Sequence, residues 1–273
     1  MANPANGDSA APDDPTSNRI SICMLASGSK GNAIYISSGQ TTLLIDAGFS
    51  GVEIERRFKA RGLAPDQVDA IIVSHEHNDH LHGVGVLARR YGLPVYMSAE
   101  TQAEAAPRLG CIQTIENFAC GTDFKINDIA IHPFSTSHDA CDPAGFTLQI
   151  NGHKIGVATD LGIATHMVRH HLNGCTCLVL EANHDPHMLE QGPYPWPIKQ
   201  RIKSRTGHLS NEDSKTLLMD VMHDNLSHVI LAHISETNNT PEKALGVVAE
   251  RLNGDAPKLT VALQQTPSPL IYL

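Results

Sequence analysis

The sequence predicts an α/β (α+β) fold in which two β-sheets are covered on their outer faces by helices. Two observations predict it. Short β-branched segments run through both halves of the chain, and helical stretches are interspersed among them in each half, which does not describe a single parallel sheet. No composition shift marks an internal linker and no segment repeats, so residues 19–273 read as one domain. Residues 1–18, mostly Ala, Pro, Asn and Asp, have almost nothing to bury and are expected to form a disordered tail.

Segments 20–25, 33–36 and 42–45 are strand-like and joined by Gly/Ser turns at 27–32 and 38–40. A helix is expected over about 51–61, where Val52, Ile54 and Phe58 fall at helical spacing. The run 70–74 (AIIVS) is a buried strand by its β-branched content and leads directly into His75. A helix over about 83–91 and a strand at 95–98 follow. Further strands are expected at 129–134, 146–150 and 154–158, with Asn151-Gly152 as a strong hairpin signal between the last two. A strand at 177–181, a helix over about 211–223, a strand at 229–232 and a helix over about 241–252 complete the pattern. Thr240 is the N-cap of that last helix and Pro241 its first residue.

With 273 residues, 41% hydrophobic and only 4% aromatic, the chain can bury a full core built mainly of Ile, Leu, Val and Ala. A net charge of −9 excludes a global basic field for loading onto nucleic acid and leaves room only for a local basic groove. No run approaches the length of a membrane span, and the N-terminus lacks the basic start and apolar stretch of a secretion signal. A cytoplasmic protein without a membrane segment is expected, and no protein partner can be inferred. The six cysteines show neither disulfide-rich density nor zinc-finger spacing, so reduced thiols in or near the core are expected. Histidine is the outlier. Its 16 copies point to metal, because imidazole is the commonest metal ligand.

Position sharpens that pointer. Ser74-His75-Glu76-His77-Asn78-Asp79-His80 places four potential ligands, His75, His77, Asp79 and His80, directly after a buried strand. His75 and His77 are two apart, so an extended backbone points both the same way, while Asp79 and His80 on the following turn can face a second ion. The H-E-x-x-H pattern of zinc proteases does not fit, because Asp79 stands four residues after His75. A site for two ions needs ligands from distant segments. His138, Asp160 and His233, each following a predicted strand, are the candidates.

The set S-H-E-H-N-D-H at 74–80, S-H-D-A at 137–140, T-D at 159–160 and A-H-I-S at 232–235 resembles the metallo-β-lactamase-fold hydrolases, over roughly residues 20–263. The resemblance implies an αββα sandwich of two mixed sheets with a dinuclear site on one edge. His75, His77 and His138 would bind one divalent ion, Asp79, His80 and His233 the other, and Asp160 would bridge both, leaving room for a bridging hydroxide as nucleophile. Nitrogen and oxygen ligands without thiolate suit Zn²⁺ or Mn²⁺. The fold serves lactams, thioesters and phosphodiesters. Asp160 stands where common β-lactamases carry Cys, which argues against lactam hydrolysis but is typical of thioesterases resembling glyoxalase II.

Glu181-Ala182-Asn183-His184 and Gly207-His208-Leu209-Ser210-Asn211 look like the RNase Z segments in which a Glu–His pair assists at the leaving group. Carried over, Glu181 would orient His208, and His208 would stabilise or protonate the leaving oxygen, with His184 a further candidate for substrate contact. With L-A-S-G-S-K-G-N at 25–32 and H-I-S-E-T-N-N at 233–239, these motifs resemble the bacterial YycJ/WalJ nucleases, regarded as 5′-directed exonucleases on double-stranded DNA. Lys30 and Ile234 depart from the Ser and Leu expected of that group. No insertion resembles the tRNA-binding arm of RNase Z. The resemblance therefore implies a two-metal phosphodiesterase, a 5′-directed DNA exonuclease in which the bridging hydroxide attacks the scissile phosphate and Asp79, Glu181 and His208 are catalytic. The alternative is a small-molecule hydrolase, either a thioesterase of glyoxalase II type or a cyclic-phosphate diesterase.

Lys199, Arg201, Lys203 and Arg205 crowd the approach to His208. On a helix, Lys199/Lys203 and Arg201/Arg205 form two i,i+4 pairs, read here as phosphate contacts to DNA. Pro193-Tyr194-Pro195-Trp196-Pro197 reads as a rigid loop packing its rings inward, in preference to stacking on a base. The turn 28–32 can cradle a phosphate through its N–H groups, although a tight hairpin explains its glycines as well.

Overall fold

In β1 (Ser21–Ala26) every residue is buried, yet Ile22 and Met24 join one apolar cluster while Cys23 and Leu25 join another. A strand apolar on both faces needs a layer on each side. The computed structural model, which describes residues 19–252 and 256–273, supplies both. The predicted tail at 1–18 lies outside the described residues.

The first sheet takes β1, β2 (Ala33–Ser37) and β3 (Thr42–Ile45) as an antiparallel meander. After α1 (Gly51–Ala60) it continues in parallel with β4 (Ala70–Ile72). Helices α2 (Asn78–Leu81) and α3 (Val84–Tyr91) lead to β5 (Val95–Ser98), and α4 (Ala99–Leu109) leads to β6 (Ile115–Phe118), both strands again parallel. The second sheet repeats the plan. Strands β7 (Phe124–Ile126), β8 (Ile129–Ser135), β9 (Ala144–Ile150) and β10 (His153–Ala158) are antiparallel. Past α5 (His166–Leu172) lies β11 (Cys177–Glu181), parallel to β10. Helices α6 (Pro186–Gln191), α7 (Trp196–Lys203) and α8 (Asn211–Val221) precede β12 (His228–Ala232), and α9 (Pro241–Ala249) precedes β13 (Lys258–Val261). The last strand, β14 (Ile271–Tyr272), returns to pair with β1. The orders are β14-β1-β2-β3-β4-β5-β6 and β13-β12-β11-β10-β9-β8-β7.

Ile36, Ile45, Ile72, Phe146, Ile155 and Val179 pack between the sheets, while Ile54, Phe58 and Leu87 cover one outer face and Val168, Leu217 and Leu218 the other. The predicted sandwich is therefore present. Asn151 (φ 49°) and Gly152 (φ 82°) make the expected left-handed turn between β9 and β10, with Ile150 opposite His153. Thr240 caps α9 by accepting from the Lys243 N–H. Among the described residues no helix is long and apolar enough to cross a membrane. All six thiols are free; Cys23 and Cys177 are buried on strands, Cys175 is buried just before β11 and Cys120 is half-buried, whereas Cys111 and Cys141 are exposed on loops.

Arg57 of α1 is a charged residue of the core, 2% exposed. Its guanidinium donates to the carbonyls of Leu25 (2.8 Å) and Gln264 (3.0 Å) and to Glu53 Oε1 (2.7 Å), and lies over the Phe49 ring. Gln264 in turn accepts from the Lys30 N–H and donates to the Gly31 carbonyl, so Arg57 fixes the 27–32 turn at the mouth of the site. Arg57→Ala is expected to cost about 3 kcal/mol in a urea-unfolding experiment, because two buried carbonyls lose their donor and the half-buried pair with Glu53 is broken.

Candidate metal centre

Parallel strands end on the same side, and the candidate residues stand where they end. Asp46 follows β3, His75 and His77 follow β4, Asp160 follows β10, Glu181 closes β11 and His233 follows β12. Register places Ala158 beside Leu180 and Glu181 beside Ala232, so Asp160, Glu181 and His233 leave three neighbouring strands side by side. Asp46, Asp160 and His233 all have left-handed backbone (φ 61°, 56° and 55°), a costly conformation for such residues that turns their side chains into the site.

Among the described residues four sets lie close enough for ion binding: His75/His77/His138, Asp79/His80/His233, His75/His80/Asp160 and Asp160/Glu181/His208/His233. His75 Nε2 is 3.1 Å from His77 Nδ1, which is 3.3 Å from His138 Nε2. His80 Nε2 lies 3.3 Å from Asp160 Oδ2 and 3.4 Å from Asp79 Oδ2. Asp160 Oδ2 and His233 Nε2 are buried without a hydrogen bond, an arrangement that costs free energy unless something bonds them. Nitrogens and oxygens converging in this way fit divalent cations.

The outer ring nitrogens are occupied, as ligating histidines require. His80 Nδ1 meets Asp46 Oδ2 at 2.8 Å, His75 Nδ1 meets Ser74 Oγ at 3.0 Å, and His138 Nδ1 meets the Gly207 carbonyl at 3.1 Å. Burial, reinforced by neighbouring imidazoles, pushes His75 far down and His138 down, which favours the neutral, ligating form. Burial opposes charge on His80 and His233 as well, but Asp160 and the other carboxylates around them raise both well above the ordinary value. The same carboxylate field is available to a cation.

Glu181 is fully buried. One of its oxygens accepts from the Leu161 N–H (2.9 Å) and the Leu209 N–H (3.3 Å); the other meets His208 Nδ1 (2.7 Å) and His233 Nδ1 (3.1 Å). Burial penalises its charge, yet His208 and His233 hold it down to about 2. His208 lines an open hollow of about 390 Å³ with Asp79, His138, Asp160 and His233.

The substrate-contact candidates divide. Arg201 lines the hollow and pairs with Asp139. Lys199 Nζ is turned away to the Glu190 carbonyl (2.7 Å). The helix ends at Lys203, so Arg201 and Arg205 are not an i,i+4 helical pair: Ser204 caps α7 and Arg205 lies past it. Lys203 and Arg205 are exposed, and among the described residues no carboxylate pairs with them. His184 is 4% exposed, its backbone engaged with the start of α8, and its side chain does not reach the hollow. Trp196 is 68% exposed, opposite to the expected inward packing, because it starts α7 rather than ending a loop on the core. In the 28–32 turn the N–H groups of Gly28, Lys30, Gly31 and Asn32 already donate to Asn32 Oδ1, Gln264 Oε1, the Gly28 carbonyl and the Asp79 carbonyl, so they do not form a phosphate cradle; Ser29 alone of the turn lines the hollow.

Asp46 escaped the sequence reading, although it too ends an apolar strand. Its carboxylate accepts from the Ser74 N–H and Ser74 Oγ as well as facing His80. Asp46→Asn is expected to weaken divalent-metal affinity about 10- to 100-fold in a chelator competition, because the amide N–H₂ faces the His80 nitrogen that should be the donor.

Residues 41–234 match the β-lactamase superfamily domain. The chain is 40% identical over 235 residues to exodeoxyribonuclease YycJ of Bacillus anthracis, covering 85% of this chain and 89% of that protein. It is 37% identical over 225 residues to exodeoxyribonuclease WalJ of Streptococcus pneumoniae, covering 81% and 84%. The crystal structure of the metallo-β-lactamase fold protein YhfI from Bacillus subtilis superposes with a TM-score of 0.73 at 15% identity, covering 94% of this chain and all of that one. This chain belongs to the metallo-β-lactamase superfamily, and within it to the family of YycJ and WalJ.

Proposed function

We propose that the protein is a two-ion phosphodiesterase that degrades DNA from a 5′ end. The observation that carries this reading is the buried Glu181 paired with His208 beside the His/Asp cluster, in a chain 40% identical to an exodeoxyribonuclease. His75, His77 and His138 would hold one ion and Asp79, His80 and His233 the other, with Asp160 available to both; Zn²⁺ and Mn²⁺ both suit these donors. Bound ions supply Lewis acidity, lowering the pKa of water and drawing charge from the scissile phosphate. Glu181 fixes His208 Nδ1 as the donor and leaves Nε2 for the substrate. In its doubly protonated form, with Nδ1–H held by Glu181, His208 would donate its Nε2 proton to the O3′ that leaves phosphorus as a hydroxide oxygen bonds to the phosphorus, the proton lost in forming that hydroxide from water going to solvent. Arg201 binds a phosphate, and Lys203 and Arg205 add contacts along the strand; Lys199 joins them once released from Glu190.

Metal-reconstituted protein given labelled duplex and single-stranded DNA and RNA, with 5′-phosphate or 5′-hydroxyl ends, is expected to release mononucleotides from 5′-phosphorylated duplex DNA. Inert DNA together with turnover of S-lactoylglutathione or a cyclic phosphate would select the small-molecule reading instead.

A further inference from the structure

The histidine excess is not exhausted by the active centre. Three further copies, His132 on β8 and His170 and His171 near the end of α5, come together on the outer face of the second sheet, where Phe134 of β8 joins the outer apolar cluster. With Asp123 and Lys154 they line an open hollow of about 300 Å³. The ring centroids of His132 and His171 are 4.6 Å apart, and those of His170 and His171 5.6 Å apart. Those separations fall in the range of the active centre, where His75 and His80 stand at 4.1 Å and His80 and His233 at 6.0 Å.

His132 is held as a ligating imidazole is held. Its Nδ1 meets Asp123 Oδ1 at 2.5 Å. An ionised carboxylate only accepts, so in the neutral ring Nδ1 carries the proton and Nε2 keeps its lone pair. That Nε2 is enclosed and no hydrogen bond reaches it, which costs free energy unless something bonds it. Asp46 holds His80 in the same way at the active centre. Burial, reinforced by His132 and His170, pushes His171 down and favours its neutral, ligating form. Packing explains part of the cluster, because the His171 ring stacks on Phe134 at 5.1 Å. It does not explain a carboxylate anchoring an imidazole whose other nitrogen bonds nothing. Lys154 places a positive charge at the hollow, but its Nζ is turned to the Asn173 carbonyl at 2.8 Å and Asp123 offsets it.

We propose that His132 and His171, completed by His170, form a second divalent-metal site separate from the active centre. Imidazole donors without thiolate suit Zn²⁺, Ni²⁺ or Cu²⁺ and not Mg²⁺ or Ca²⁺. The donors converge less closely than the four sets of the active centre, and His170, which is exposed, closes the gap by a change of rotamer. An ion here staples β8, which ends at Ser135 shortly before His138, to α5, which begins at His166 shortly after Asp160. It therefore braces two segments that carry candidate ligands of the active centre without touching the reacting atoms.

The full chain is dialysed to equilibrium against about 10 µM free Zn²⁺, and zinc per chain is measured by elemental analysis. His132→Ala is expected to hold one ion fewer than wild type. Asp79→Ala should lose its own ion independently, so the double variant loses two. Asp123 has a side chain 78% exposed, so Asp123→Asn leaves the fold intact, and it should weaken the second-site ion about tenfold to a hundredfold. That variant decides the matter if His132→Ala does not fold. Cu²⁺ added to zinc-filled wild type should show nitrogen hyperfine splitting from imidazole in its electron paramagnetic resonance spectrum, and the splitting should be absent from His132→Ala. Equal zinc in wild type, His132→Ala and Asp123→Asn overturns the proposal. So does an extra ion that fills only near about 1 mM zinc, which marks an adventitious ion only. A double variant that loses no more than Asp79→Ala also overturns it, by assigning the ion to the active centre. Each result is a difference between variants and holds whatever the active centre hydrolyses.

Discussion

Asp79→Ala is expected to abolish metal-dependent release of nucleotides from 5′-phosphorylated duplex DNA, a loss beyond about a thousandfold. Asp79 is the carboxylate of the Asp79/His80/His233 set, with Oδ2 3.4 Å from His80 Nε2 and 3.7 Å from His233 Nε2. Burial disfavours its charge, but His80 and His233 hold its carboxyl far below the usual carboxylate range, so it is an anionic donor throughout the working pH range. Asn32 Nδ2, 3.3 Å away, fixes its orientation, and the Asn32 N–H holds the Asp79 carbonyl at 2.7 Å. Alanine leaves two imidazoles and the shared Asp160 for that ion. Metal content measured by elemental analysis should fall from two ions per chain to about one, while the His75/His77/His138 set keeps its ion. The side chain is 23% exposed, so the fold should survive and circular dichroism should be unchanged. Two ions and wild-type turnover in this variant would remove Asp79 from the centre.

How much of this was visible beforehand follows from where the information sits. The 74–80 segment carries a strand end and four donors in contiguous residues, so local alternation alone brings His75 and His77 together. Asn151-Gly152 likewise states its own conformation. Asp46 is different. It acts through His80, thirty-four residues away, only because β3 and β4 pair with Ile45 beside Ile72, and strand register is a long-range property. Helix α4 (AETQAEAAPRL) hid because Pro107 and few large apolar residues blur its period, and β6 was missed at a sheet edge where half of its residues are exposed. The exposure of Trp196 failed for a related reason. Aromatic residues flanked by prolines read as core-packing by hydrophobicity, whereas a helix with no buried side can be recognised only once its surroundings are known.

His208→Ala is expected to lower kcat by about 10²- to 10⁴-fold on DNA while metal content stays at the wild-type level. The separation of the two readouts is what distinguishes a leaving-group residue from a ligand. His208 is 20% exposed, lines the hollow, and gives Nδ1 to Glu181 at 2.7 Å, a geometry that leaves one nitrogen for substrate. It also belongs to a possible fourth ligand set with Asp160, Glu181 and His233. That set is disfavoured because both Glu181 oxygens are already satisfied, by two N–H groups and two imidazoles. Loss of an ion from the alanine variant would show that the fourth set is real and that the proton-donor role is wrong. Glu181→Gln sharpens the distinction. If Glu181 acts through His208, adding Glu181→Gln to His208→Ala should cost little further in kcat, since residues acting as a unit are not additive. Glu181 also meets His233 Nδ1 at 3.1 Å, so any additional loss should appear as weaker metal affinity rather than slower turnover at saturating metal.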